Sequence, residues 1–193
     1  MRTAVTGLIT ASMLALVLVT APAAARSGDD TGAPFIGAGT GPHRLHFDSD
    51  DRAAVDVARE DEPGGHLRVG VVEGDRRVYG QWTVIRPADY LVSSLTANID
   101  YLWHAGGPVT LFGGVGGGAI TLSWDGDNSF DTMAAVSAQA GVILDVTRRI
   151  DLELGVRQLF TRLRTDPRGP DGNSVDVDLD RLGAATAGVN VRF

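Results

Sequence analysis

The chain ends on residues 183–193, Gly183-Ala184-Ala185-Thr186-Ala187-Gly188-Val189-Asn190-Val191-Arg192-Phe193, and this stretch decides how the rest is read. Its odd positions Gly183, Ala185, Ala187, Val189, Val191 and Phe193 are small or apolar, whereas Thr186, Gly188, Asn190 and Arg192 between them are not. A period of two marks a strand with two unlike faces. A half-buried strand of a soluble sandwich alternates in the same way, so alternation alone leaves the environment open. The terminus narrows it, because an apolar strand closing on an aromatic and left unprotected in water is an aggregation hazard.

Working back along the chain, the same division recurs. Leu95, Ala97, Ile99, Tyr101 and Trp103 share one face against Thr96, Asn98, Asp100 and His104. Val136, Ala138, Ala140, Val142 and Leu144 oppose Ser137, Gln139, Gly141 and Asp145. Ile150, Leu152, Leu154, Val156 and Phe160 oppose Asp151, Glu153, Gly155, Arg157 and Thr161. A soluble barrel turns the apolar set inward, and a membrane barrel exchanges the two faces. The apolar set is rich in Ala, Val and Gly with aromatics near strand ends, a composition that meets lipid better than it fills a barrel centre.

Strands are expected at 33–47, 66–73, 76–86, 91–104, 108–122, 133–146, 150–163 and 176–193, with no amphipathic helix between them. The links Gly74-Asp75, Ala105-Gly106-Gly107 and Thr147-Arg148-Arg149 are tight, while 48–65, 123–132 and 164–175 are longer, polar and acidic. Short turns on one side and long loops on the other describe an all-β, antiparallel up-and-down transmembrane β-barrel of about eight strands, both ends on the periplasmic side. Pro87-Ala88-Asp89 breaks the pattern, being short where a long outer loop is expected.

Val189-Asn190-Val191-Arg192-Phe193 resembles the C-terminal signal of bacterial outer-membrane β-barrels, and the whole architecture resembles the OmpA/OmpX-like eight-stranded family. The resemblance implies that Val189, Val191 and Phe193 are read by the barrel assembly machinery. It also implies a Gram-negative outer-membrane location, with outer-membrane lipids and lipopolysaccharide as surroundings and a monomeric barrel. Tyr101, Trp103 and Phe193 then form a periplasmic aromatic girdle, with Tyr90 and Trp124 available to an outer one.

The N-terminus agrees with export. Met1-Arg2-Thr3 gives a positive start, an apolar run follows from Ala4 to about Val19, and Ala23-Ala24-Ala25 offers a small-residue cleavage site. Residues 1–25 are therefore expected to be a signal peptide and residues 26–193 the barrel domain. The chain has no cysteine, so disulfides and thiolate metal sites are excluded. A net charge of -7 without a basic stripe argues against nucleic acid as a partner.

With the polar faces inward, Arg68, Arg77, Gln81, Asp100, Gln139, Asp145, Glu153, Arg157, Asn190 and Arg192 are expected to meet in a lumen too narrow for a wide pore. Buried charges of both signs must pair. The glycines at 113, 114, 116, 117 and 118 open no helix, so they are not a phosphate-cradling loop; they are expected to make room for Trp82 or Phe112 or to permit curvature. Asp125-Gly126-Asp127-Asn128-Ser129-Phe130-Asp131 imitates the start of a calcium loop but has Phe130 at the glycine position and Val136 in place of the final Glu. It reads, like Asp176, Asp178 and Asp180, as a solvated acidic rim. Among His43, His46, His66 and His104 none forms a His-x-Ser pair, and no Ser has a nucleophile context. His43 and His46 fall on opposite faces of a strand. No catalytic, cofactor-binding or metal set is nominated. The expectation is a non-enzymatic outer-membrane barrel with a structural or surface-interaction role, porin-like in form only; a lipid A-modifying enzyme and a soluble periplasmic lipocalin-like carrier are the alternatives.

Overall fold

The computed structural model describes residues 32–48, 61–87, 90–124, 130–165 and 177–193. The expected signal peptide lies outside these residues, as do most of the three long loops and residues 125–129 and 176.

Eight strands run in chain order: β1 (Ala33–Asp48), β2 (Asp61–Glu73), β3 (Arg76–Ile85), β4 (Tyr90–Gly106), β5 (Val109–Trp124), β6 (Phe130–Asp145), β7 (Ile150–Thr165) and β8 (Val177–Arg192). Each pairs antiparallel with the next, and β8 pairs with β1 to close the barrel. This is the all-β up-and-down architecture that the alternation demands. Closure removes every sheet edge, including that of the phenylalanine-ended last strand.

The tight connections gather at one end. Gly74 (φ 57°) reverses β2 into β3, and Gly106 (φ 100°) and Gly107 (φ 63°) reverse β4 into β5, left-handed conformations that favour glycine. At the β6–β7 turn Thr147 Oγ1 accepts from the backbone N–H of Ile150 at 3.0 Å. Phe193 N–H donates to Pro34 O at 2.9 Å and Arg192 N–H to Arg149 O at 2.8 Å, so the last residues are stitched to the same end.

The strand bounds differ from expectation mainly in β2, which starts at Asp61 instead of residue 66. Pro63-Gly64-Gly65 looks like a turn, yet the barrel needs it extended. Pro63 pairs with Pro42, and a Cβ on Gly64 would lie 2.6 Å from His43 Nδ1, so the small residue admits the histidine ring. The connection shortens to 49–60 accordingly. β6 likewise begins at Phe130, within the stretch expected to be loop.

The two faces are sorted as in a membrane barrel. Outside lie Ile36, Leu67, Val78, Ile99, Leu111, Val115, Val136, Leu152, Leu154 and Val156, all exposed, while Arg77, Asp100, Gln139 and Glu153 are buried within. A folded protein in water does not strip this many large apolar side chains from its core and fill that core with charge.

Candidate functional site: a sealed polar lumen

The barrel interior is layered. Toward the open end of the strands Leu45, Ile85, Tyr90, Val92, Ile120, Leu122, Ala135, Leu159 and Leu182 form one apolar cluster. Toward the tight turns Leu102, Phe112 and Ile143 form another, with Val72 packed against it. Between the two sits the charged layer. Sequence reading missed the upper cluster because these inward apolar residues sit near strand ends, where the lumen looked uniformly polar. It also placed Tyr90 in an outer girdle. Tyr90 is only 6 % exposed, because its even number puts it on the same face of β4 as Asp100.

The charged layer is built from β2, β3, β4 and β7. Arg77 donates through Nε and Nη2 to Asp100 Oδ2 at 3.0 and 2.6 Å, and through Nη1 to Glu153 Oε2 at 2.6 Å. Arg68 donates to the other oxygen of Glu153 and, through Nε, to Gln81 Oε1 at 3.1 Å. Asn190 reaches Glu153 Oε2 at 3.2 Å, and Gln139 Nε2 donates to Asp100 Oδ1 at 2.7 Å and Tyr79 Oη at 2.8 Å. Two guanidiniums thus face two carboxylates, and each carboxylate accepts three hydrogen bonds, as buried charge requires. The Arg77 guanidinium also lies over three rings, Tyr79 at 4.9 Å, Phe112 at 5.0 Å and Phe35 at 5.6 Å, so its planar faces rest on aromatic π-density.

Arg157 belongs to the same interior but not to the same partners. Its Nη2 donates to Thr96 Oγ1 at 2.7 Å, Ser137 Oγ at 3.1 Å and Asn98 Oδ1 at 3.2 Å, not to Glu153. Above it His43 Nδ1 shares a hydrogen bond with Gly41 O at 2.9 Å, and His66 is buried nearby on β2. At the tight-turn end Arg192 bridges Asp145 and Asp151, tying the last strand to both sides of the β6–β7 turn. His104 is exposed at the mouth of the tight-turn end, where the β4–β5 register shifts, and shares a 3.0 Å hydrogen bond with Thr110.

The glycine run of β5 has a definite role in this layer. A Cβ on Gly114 would lie 2.1 Å from Asp100 Oδ1, and one on Gly116 2.1 Å from Asn98 Oδ1. These positions make room for the polar side chains of β4, and not for Trp82 or Phe112 as sequence reading had it. On the outer face Gly113 lets the Trp103 ring lie down, its nearest carbon 3.2 Å from where a Cβ would stand.

A pocket of about 30 Å³ within the layer is lined by His43, Arg68, Gln81, Gln139, Glu153 and Arg157 among others. That is room for a water or two. Gln139 Oε1 and Arg157 Nε, both in its lining residues, have no protein hydrogen-bond partner. A vestibule of about 270 Å³ opens at the tight-turn end, floored by Phe35, Leu102 and Ile143 together with Arg77 and Asn190 of the charged layer, and ringed by Asp145, Asp151 and Arg192. Among the described residues no three His, Asp or Glu side chains form a metal-holding group. The side chains of His46, Trp124, Asp178 and Asp180 lie outside the described residues.

On the outer surface Tyr101 (41 % exposed), Trp103 (53 %) and Phe193 (74 %) all project near the tight-turn end. The Tyr101 and Trp103 rings lie 5.7 Å apart, and the Arg76 guanidinium sits over Tyr101 at 5.6 Å. Val189 is exposed on the same face, and Val191 is half-buried. At the opposite end Arg44 and Asp61 form a two-pronged ion pair, both bonds 2.9 Å. That hydrogen-bonded guanidinium holds the Asp61 carboxyl below its ordinary range.

No protein-family model and no curated protein sequence matches the chain. Solved structures do. Neisserial surface protein A aligns with a TM-score of 0.67 at 21 % identity, covering 84 % of this chain and 100 % of that one. Outer membrane protein H of Pseudomonas aeruginosa aligns at 0.55 and 20 %, covering 83 % and 99 %. Ail, the attachment invasion locus protein of Yersinia pestis, aligns at 0.52 and 16 %, covering 84 % and 99 %. With its eight strands closed in sequence order and its apolar face outward, the chain has the fold of the OmpA/OmpX-like outer-membrane β-barrels.

Proposed function

We propose that the chain is a non-enzymatic outer-membrane protein with a structural or surface-interaction role, exported by a signal peptide, monomeric, and presenting its acidic connections to the exterior. The observation that carries this reading is the inversion of faces around a lumen filled by paired charges and apolar clusters. The charges inside are committed to one another, and the pocket among them has room for a water or two, which favours a filled lumen over a carried ligand or a conducting path. His43, His66, Ser94 and Ser137 are buried in the same interior, out of reach of a lipid substrate at the surface.

Outer-membrane lipid and lipopolysaccharide are the immediate partners of the apolar belt, Tyr101, Trp103 and Phe193 are its periplasmic girdle, and Val189, Val191 and Phe193 are the residues offered to the barrel assembly machinery. Attachment, the word in the name of the Yersinia pestis neighbour, is the kind of role that the connections of a barrel with a filled lumen can serve. The test is fractionation of cells expressing the full chain, with N-terminal sequencing of the mature product and electrophoresis of heated and unheated samples. The reading expects a heat-modifiable outer-membrane band beginning near residue 26. A soluble periplasmic product overturns it in favour of a carrier, and a lipid A mass spectrum altered by expression overturns the non-enzymatic part.

A further inference from the structure

The charged layer does not balance. Arg68, Arg77 and Arg157 stand against Asp100 and Glu153, and the ion pairs join only the first two arginines to the carboxylates. Arg157 is the surplus cation: its Nη2 donates to the neutral oxygens of Thr96, Asn98 and Ser137, and among the described residues it has no ion pair. The opposite surplus, Asp145 and Asp151 sharing Arg192, lies down β7 at the tight-turn end. Asp151 is about 20 Å from Arg157 along the strand, where attraction is about a fifth of that between paired groups. A buried cation without a counter-charge nearby is costly.

A pocket adjoins this cation. His43, Ala184 and Arg157 share one register line across β1, β8 and β7 and all line the pocket, so two long side chains flank an alanine and the space over its methyl group stays open. Its volume is about 30 Å³, room for a water or two. Ser94, only 4 % exposed, and Thr186 line it as well, and neither hydroxyl has a hydrogen-bond partner within the protein. Arg157 Nη1 has none either. These three atoms keep accessible surface, whereas the unpartnered Arg157 Nε is enclosed. Arg68 and Glu153 are also in the wall, and as partners in one ion pair their charges cancel there.

We propose that this pocket is a site for one small monovalent anion of chloride's size, which accepts hydrogen bonds from Arg157 Nη1 and from the hydroxyls of Ser94 and Thr186. A halide only accepts, and each of these groups has a hydrogen to give. A water satisfies the hydroxyls but leaves the guanidinium's charge uncompensated; an anion of similar size answers both needs. The ion is a fixed counter-charge that completes the layer, in keeping with a filled lumen.

The experiment uses the full barrel refolded in lipid vesicles and unfolded with urea, which adds no ions of its own. Chloride or bromide is titrated at constant ionic strength, with gluconate, too large for the pocket, making up the balance. In wild type each tenfold rise in halide above its dissociation constant is expected to multiply the folded-to-unfolded ratio about tenfold. Arg157→Gln, which keeps a polar end without the charge, and Ala184→Val, which fills the pocket but keeps the arginine, are each expected to remove that dependence. General salt effects are shared by all three proteins and cancel in the comparison. Wild-type stability that is the same in halide and gluconate overturns the site and leaves the pocket to water. Halide dependence that persists in both variants places the ion elsewhere and overturns it too. Crystals of the wild-type barrel grown in bromide give a readout that needs no variant: an anomalous peak beside Arg157 Nη1 is expected, and bromide found only at the surface refutes the assignment.

Discussion

Replacing Glu153 with leucine removes the carboxylate on which the Arg68 and Arg77 guanidiniums and the Asn190 amide converge. Arg77 keeps Asp100, but Arg68 is left with no carboxylate, only the neutral Gln81 and the Tyr79 ring, its charge buried at 8 % residue exposure. Breaking a buried ion pair by removing one partner costs about 3–5 kcal/mol, which lowers the folded-to-unfolded ratio by roughly two to nearly four powers of ten. The assay is reversible urea unfolding in lipid vesicles followed by tryptophan fluorescence, with the midpoint and slope fitted for each variant. Glu153→Leu is expected to lose that amount at unchanged slope. The double variant Glu153→Leu/Arg68→Met is expected to recover most of it, since replacing both members of a buried pair with apolar groups is close to neutral. A single variant as stable as wild type, or a double variant with simply additive losses, refutes the claim that the lumen is held by mutual charge neutralisation.

Three further expectations follow from the same structure. In a planar bilayer the purified barrel should show no steady single-channel conductance, because paired charges fill the middle of the lumen and an apolar cluster lies above them; discrete openings in wild type contradict the filled lumen. Trp103 fluorescence should be quenched most by lipids brominated close to the headgroup, and quenching strongest at the bilayer centre removes it from the girdle. Asp61 should titrate by NMR below the ordinary aspartate value of about 3.9, and Arg44→Gln should return it there. A depressed carboxyl contributes its stability above the unfolded pKa and loses it as pH falls through the folded one; because the pair is exposed, the contribution is small, and an unshifted titration denies the contact.

Much of the architecture was legible because the strand period is two and a barrel wall has only two sides. The parity of Val189, Val191 and Phe193 against Asn190 and Arg192, carried through β4, β6 and β7, was enough to place most side chains. Parity also held what was overlooked, since Tyr90 is even-numbered on β4 and so faces the lumen, yet an aromatic beside a strand end invites assignment to the girdle. What parity does not carry is height. Whether an inward residue meets the charged layer or an apolar cap depends on strand tilt and stagger, and these appear only when the sheet closes. For that reason Leu45, Ile120, Leu159 and Leu182 went unnoticed as a plug, and the particular partners of Arg157 in the interior, Thr96, Asn98 and Ser137, were not legible. The turn-like Pro63-Gly64-Gly65 misled for another reason: its glycine serves the His43 ring across the strand, a long-range need that local residue preference does not record.

The central claim is that the apolar face meets hydrocarbon and the charged face is enclosed, and the absence of native cysteine makes it directly measurable. Single cysteines introduced one at a time from 150 to 157 on β7, spin-labelled and reconstituted in bilayers, report collision rates with oxygen, which partitions into lipid, and with a nickel chelate, which stays in water. The account predicts high oxygen accessibility at Ile150, Leu152, Leu154 and Val156, low accessibility to both reagents at Glu153 and Gly155, and a period of two throughout. Nickel accessibility at Leu152, Leu154 and Val156, with oxygen showing no alternation, would contradict it.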